Sequence, residues 1–142
     1  MIILALDVGD KRIGVAKSMP IGGFVFPVET IHRKNIKADL DRVCYLVKSI
    51  GAELIVCGMP VNFDGTNSVQ TEKTEYFVER LKEVVSVPIK LVDERCTTMQ
   101  ARDILIEAGY SRKERKNYID QESATFILED YLRQQEIKNK KV

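Results

Sequence analysis

The chain has 142 residues, 44% of them apolar and 30% charged, and its 22 Lys and Arg nearly balance 21 Asp and Glu to leave a net charge of +1. That length suits one globular domain, and the balance excludes both a disordered polyelectrolyte and a molecule that attracts polyanions over its whole surface. The apolar run Met1–Leu6 is far short of the roughly 20 residues of a membrane span and lacks the basic flank of a signal peptide, and three cysteines without a CxxC pair point to a reducing cytoplasm.

Ile2–Val8 reads as a strand buried on both faces, apolar throughout except at Asp7. Gly9-Asp10-Lys11 is turn chemistry, and Arg12–Ser18 follows as a second strand. Phe24–Ile31 reads as a third, at the sheet edge because Pro27 cannot donate to a ladder. Ile36, Leu40, Val43, Val47 and Ile50 recur at helical spacing, which predicts a helix over Ile36–Ile50 closed by Gly51. Glu53–Cys57 is a short apolar strand ending at Gly58.

Three capping boxes predict the next three helix starts. Asn67 with Gln70 opens a helix to about Val85, with Phe77, Leu81, Val84 and Val85 on its stripe. Thr97 with Gln100 opens one whose inner face is Ala101, Ile104, Leu105 and Ala108, stopped by Gly109. Ser111 with Glu114 opens the last, running to about Gln135. Pro88–Val92 supplies the fifth strand. A single domain over 1–137 is expected, with a polar tail at 138–142.

The order β-β-β-α-β-α-β-α-α predicts an α/β fold with a mixed five-stranded sheet. Its first three strands are close enough to be antiparallel neighbours, and the later ones are joined through helices and so parallel. Helices should cover both faces. An RNase H-like domain has this arrangement, and other α/β folds share the order.

Three carboxylates stand where burial makes them costly. Asp7 interrupts the most hydrophobic strand, at the carboxyl end where ligands of open α/β sheets gather. Asp93 and Glu94 hold the equivalent place after Val92, and alternation lets only one of them face such a site. Asp120 lies four, seven, eight and eleven residues before Ala124, Ile127, Leu128 and Tyr131, on the stripe that packs against the sheet. Clustered carboxylates without a His or Cys set are hard oxygen ligands, suited to Mg²⁺ or Mn²⁺. His32 reads as a solvated loop residue at a strand end, and the cysteines as structural.

Cationic groups gather around the same edge. Lys11 and Arg12 occupy the first turn, Arg95 follows Glu94, and Arg112, Lys113, Arg115 and Lys116 form a run before Asp120. Such groups could hold phosphates. The loop Gly58-Met59-Pro60-Val61-Asn62, continued by Asp64-Gly65-Thr66, leaves its strand at that end as a backbone-rich clamp or an ordinary tight turn. Aromatic residues are not interleaved with the basic ones, so base stacking is not indicated.

Leu6-Asp7-Val8-Gly9-Asp10-Lys11-Arg12-Ile13-Gly14-Val15-Ala16 resembles the opening motif of the YqgF/RuvX family. So do the Gly58-to-Gly65 loop, Val92-Asp93-Glu94-Arg95-Cys96-Thr97-Thr98, Ile106-Glu107-Ala108-Gly109 and Ile119-Asp120-Gln121-Glu122-Ser123-Ala124. The resemblance implies an RNase H-like fold and a nuclease that matures the 5′ end of pre-16S rRNA or resolves Holliday junctions. It implies Asp7, Glu94 and Asp120 as catalytic, metal-holding acids. Lys11, Arg12, Asn62, Arg95, Thr97, Thr98, Arg112 and Lys113 are then the expected substrate contacts. Nucleic acid, as pre-rRNA or branched DNA, and ribosomal precursor particles are the expected partners of a cytoplasmic monomer or homodimer.

Two other classes compete. Asp7-Val8-Gly9 also fits the phosphate loop of actin/hexokinase-type phosphotransferases, which need a second domain to close over nucleotide. A nucleic-acid-binding module with vestigial acids would use the same surface without cleavage.

Overall fold

The computed structural model describes residues 1–19, 24–60, 68–93, 124–133 and 135. Strands β1 (Ile3–Val8), β2 (Arg12–Ser18) and β3 (Val25–His32) precede helix α1 (Ile36–Ile50), and β4 (Leu54–Met59), α2 (Val69–Lys82) and β5 (Ile89–Asp93) follow. They form a five-stranded sheet in the order β3-β2-β1-β4-β5. β1 pairs antiparallel with β2, and β2 with β3, whereas β1–β4 and β4–β5 are parallel. The expected mixed sheet is the observed one.

β1 lies at the centre because its side chains are apolar on both faces. Leu4, Leu6 and Val8 face one core with Val43 and Leu46 of α1 and Phe77 and Leu81 of α2. Ile3 and Ala5 face the other, with Val56, Val92, Ala124, Ile127 and Leu128. Truncating a fully buried leucine such as Leu6 to alanine costs about 2–5 kcal/mol. Residues 124–133 are helical, and Tyr131 packs against that second core, so the predicted stripe is met over this stretch.

The expected closing Gly51 of α1 is present, and Asn35 adds an N-cap that the sequence reading did not name. Asn35 accepts the Ala38 amide at 2.8 Å, and Gly51, with φ of 77°, returns its N–H to Val47. At α2 the capping box is Ser68 with Thr71, one residue beyond the expected Asn67 with Gln70. The Gln70 side chain reaches away from the helix end and donates to the Val8 carbonyl at 3.3 Å.

Helix α2 also stops at Lys82 instead of Val85. The Val84 and Val85 amides bond to the Leu81 carbonyl in a tight turn, which leaves Val84 exposed while Val85 stays against the core. Strand β3 begins and ends one residue later than expected. It is an edge strand, as Pro27 requires, and its pairing with β2 shifts between Val15 and Ala16. The expected helix after Thr97, the Ser111 helix start and the tail at 138–142 lie outside the described residues. No described helix is long and apolar enough to cross a membrane.

Candidate functional site

Antiparallel pairing and a short turn bring Asp7, Lys11 and Arg12 to one sheet edge. The turn closes with the Gly9 amide on the Arg12 carbonyl at 2.8 Å, and a Cβ at Gly9 would meet that same oxygen at 2.8 Å. Only glycine lets the backbone come so near. Lys11 is exposed, and half-buried Arg12 starts β2 opposite His32, the last residue of β3. His32 is solvated as expected, but within the strand.

Asp7 is half-buried near the carboxyl end of β1. Side chains alternate along a strand, so it belongs to the face of Ile3 and Ala5, which packs against the helix of residues 124–133. Across the antiparallel ladder it pairs with Gly14. On the other side Leu6 pairs with Cys57, so one step further along both strands sets Asp7 beside Gly58. Gly58 in turn pairs with Val92, and Met59 with Asp93. The carboxylate thus stands in a row of the sheet with no side chain on either neighbouring strand. An anionic oxygen pair beside bare backbone suits a hard cation and its water.

Of the other sequence-predicted site residues, Glu94, Asp120, Asn62, Arg95, Thr97, Thr98, Arg112 and Lys113 lie outside the described residues. Among the described residues no group of three His, Cys, Asp or Glu side chains could hold a metal. Val92, two residues before Glu94, and Ala124, four after Asp120, are both buried in the core on Asp7's face. Burial raises the Cys44 thiol pKa, and Cys57 is fully buried. Partly buried Cys44 and buried Cys57 fit the structural reading of the cysteines, and Cys96 lies outside the described residues.

Two features escaped the sequence reading. One is the glycine at each side of Asp7. The other is an ion pair between Arg33 and Asp39, whose Nε and Oδ2 lie 2.9 Å apart. Asp39 was detectable, because Val43, Leu46 and Ile50 lie four, seven and eleven residues after it on one helical face.

Residues 1–134 match the family model described as "RuvX: Holliday junction resolvase". A relative from Clostridium novyi, named "Putative pre-16S rRNA nuclease", is 45% identical over 132 residues, 93% of this chain and 98% of the relative. A relative of the same name from Thermoanaerobacter pseudethanolicus is 45% identical over 141 residues, covering 99% of this chain and all of the relative. Among solved structures, Thermus thermophilus RuvC in complex with a Holliday junction substrate superposes with a TM-score of 0.61 at 11% identity, over 94% of this chain and 96% of that one. The Fowlpox virus resolvase bound to Holliday junction DNA gives 0.56 at 13% identity, over 93% and 99%. Both likenesses show the RNase H-like fold.

Proposed function

The chain belongs to the RuvX family, described as Holliday junction resolvase, and on that premise we propose that it is a metal-dependent endonuclease acting on the 5′ end of pre-16S rRNA. The substrate is carried by one observation, 45% identity over 98% of a relative that bears the name of that activity. The chemistry is supported by Asp7, a carboxylate with bare backbone at each side, on the sheet face that Val92 and Ala124 share.

In this reading Asp7, Glu94 and Asp120 hold Mg²⁺ or Mn²⁺. A divalent ion there supplies Lewis-acid polarisation of the phosphate and a more acidic water. The acids of the chain fix where that charge sits. Lys11 and Arg12, together with Arg95, Arg112 and Lys113, neutralise and orient the phosphates, while Asn62, Thr97 and Thr98 contact the substrate by hydrogen bonding. Arg12 is well placed for this role, since it starts β2 at the edge where β1, with Asp7 as its penultimate residue, ends.

Incubation of the pure protein with Mg²⁺ or Mn²⁺ on a precursor rRNA fragment and a four-way DNA junction, side by side, tests the reading. Cleavage of the rRNA near the mature 5′ end is the expected result. Cleavage of the junction alone would favour the second reading, DNA-junction resolution, which the description of the family supports. Binding of both without cleavage would favour a non-catalytic module.

A further inference from the structure

We propose that Arg33 and Asp39 are positioning residues that lock the β1–β2 turn, and through it Asp7, from the opposite side of the sheet. The inference rests on the nuclease reading above for its catalytic consequence, and on geometry alone for the lock.

Arg33 follows β3, where a surface loop would leave it solvated. Instead its guanidinium is shared three ways. Nε donates to Asp39 Oδ2 at 2.9 Å, one Nη donates to the Gly9 carbonyl at 2.9 Å, and the group lies 5.2 Å from the centroid of the Phe77 ring. The Arg33 backbone amide also donates to the Lys11 carbonyl at 2.9 Å. One residue therefore holds the turn at both its first and its last positions.

Asp39 makes the arrangement rigid. Its side chain is only 3% exposed, and its second oxygen accepts the Lys34 amide at 3.1 Å. Phe77, beneath the guanidinium, is itself 1% exposed. Few alternative rotamers survive such packing. Helix α2 adds two further ties, Gln70 to the Val8 carbonyl at 3.3 Å and Lys73 to Asp10 at 3.2 Å.

A buried pair is weak evidence for a stabilising role, because desolvation offsets most of the attraction. The specific geometry suggests another use. The planar fork of arginine reaches a carboxylate and a carbonyl at once, and a lysine ammonium on its flexible stem does not hold both at a fixed angle. The turn so held begins two residues after Asp7 and contains Lys11. A misplacement of about 1 Å at a reacting centre costs roughly 100-fold in rate.

The test compares wild type, Arg33→Lys and the charge-neutral double variant Arg33→Gln/Asp39→Asn by four measurements. These are hydrogen exchange of the 8–12 segment, Mn²⁺ affinity by calorimetry, kcat and KM on precursor rRNA, and the urea midpoint. Arg33→Lys should speed turn exchange and weaken Mn²⁺ binding. It should lower kcat roughly 10- to 100-fold while KM moves far less. The double variant, which avoids a stranded buried charge, should do the same in folded protein. A lowered urea midpoint with turn exchange, Mn²⁺ affinity and kcat all at wild-type values would make the pair merely structural and overturn the proposal. Wild-type protein that cleaves nothing would sink the nuclease reading instead, and exchange and Mn²⁺ affinity would still decide the lock.

Discussion

Asp7 pairs with Gly14 across the β1–β2 ladder, so the position directly opposite its side chain carries no side chain at all. Residues paired this way have Cβ atoms about 4.5–5.5 Å apart on the same face, close enough to fill each other's space. Gly58 repeats the vacancy on the β4 side. Glycine in a strand interior is entropically unfavourable.

Gly14→Ala and Gly58→Ala follow directly. Removing glycine from a strand should raise stability by about 0.5–1 kcal/mol if the space is open. The same methyl beside the Asp7 carboxylate should weaken Mn²⁺ binding and cleavage. Denaturation midpoints and calorimetry on each variant read the two signs separately. A fall in stability with unchanged Mn²⁺ affinity would show that the glycines only admit close packing from above.

Cys44 gives a prediction independent of the site. Burial holds its thiol above the usual range, and Asp41 pushes it the same way. A raised pKa means that the folded state keeps the proton longer. Its contribution to stability is therefore complete below the unfolded thiol's pKa and lost as pH rises through the folded value. Site-resolved alkylation at pH 8 should be slower at partly buried Cys44 in native protein than in urea. Equal rates in both conditions would contradict the burial.

The basic residues should divide by role. Lys11→Ala and Arg12→Ala act at the turn beside Asp7, whereas Arg112, Lys113, Arg115 and Lys116 form a run that precedes Asp120 in sequence. Each lost phosphate contact should reduce the log–log salt slope of RNA binding by roughly 0.7–0.9. Filter binding across a salt series measures it. An unchanged slope on replacing the four-residue run by alanine would mark it as a solvated face.

The sheet was legible because its signals are local. Strand β1 is apolar without alternation, Pro27 forbids a central position, and Gly51 closes α1 as its chemistry demands. Boundaries slipped where two local signals overlapped, as at Ser68 beside Asn67, and only the engagement of Gln70 with Val8 separates them. Asp7 was legible as a charge in an apolar strand. Its flanking glycines were not, because register is a non-local property that no single strand encodes. Asp39 carries the same stripe signature as Asp120, and its partner is an arginine. The pattern marks an acid on the face of a helix that packs inward, and chain topology decides what meets it.

That distinction sharpens the decisive variant. Asp7→Asn keeps size and hydrogen-bonding shape and removes one negative charge at the end of β1. If Asp7 holds a divalent ion with Glu94 and Asp120, cleavage should collapse while RNA binding persists or tightens. Tightening follows because an acidic cluster without metal repels phosphate, and one charge fewer relaxes that repulsion. Stability should hold or rise without metal, since like charges crowded on one sheet face oppose folding. Mn²⁺ should raise the unfolding free energy of wild type by about 2.7 kcal/mol at 100 times its Kd, moving the denaturation midpoint up, and do so much less for Asp7→Asn. Cleavage rate, RNA affinity and denaturation midpoint, each with and without Mn²⁺, are the measurements. Equal cleavage by both proteins would place the catalytic centre elsewhere. A large metal-independent loss of stability would make Asp7 a structural strand residue, with a partner inside the protein in place of an ion, as Asp39 has Arg33.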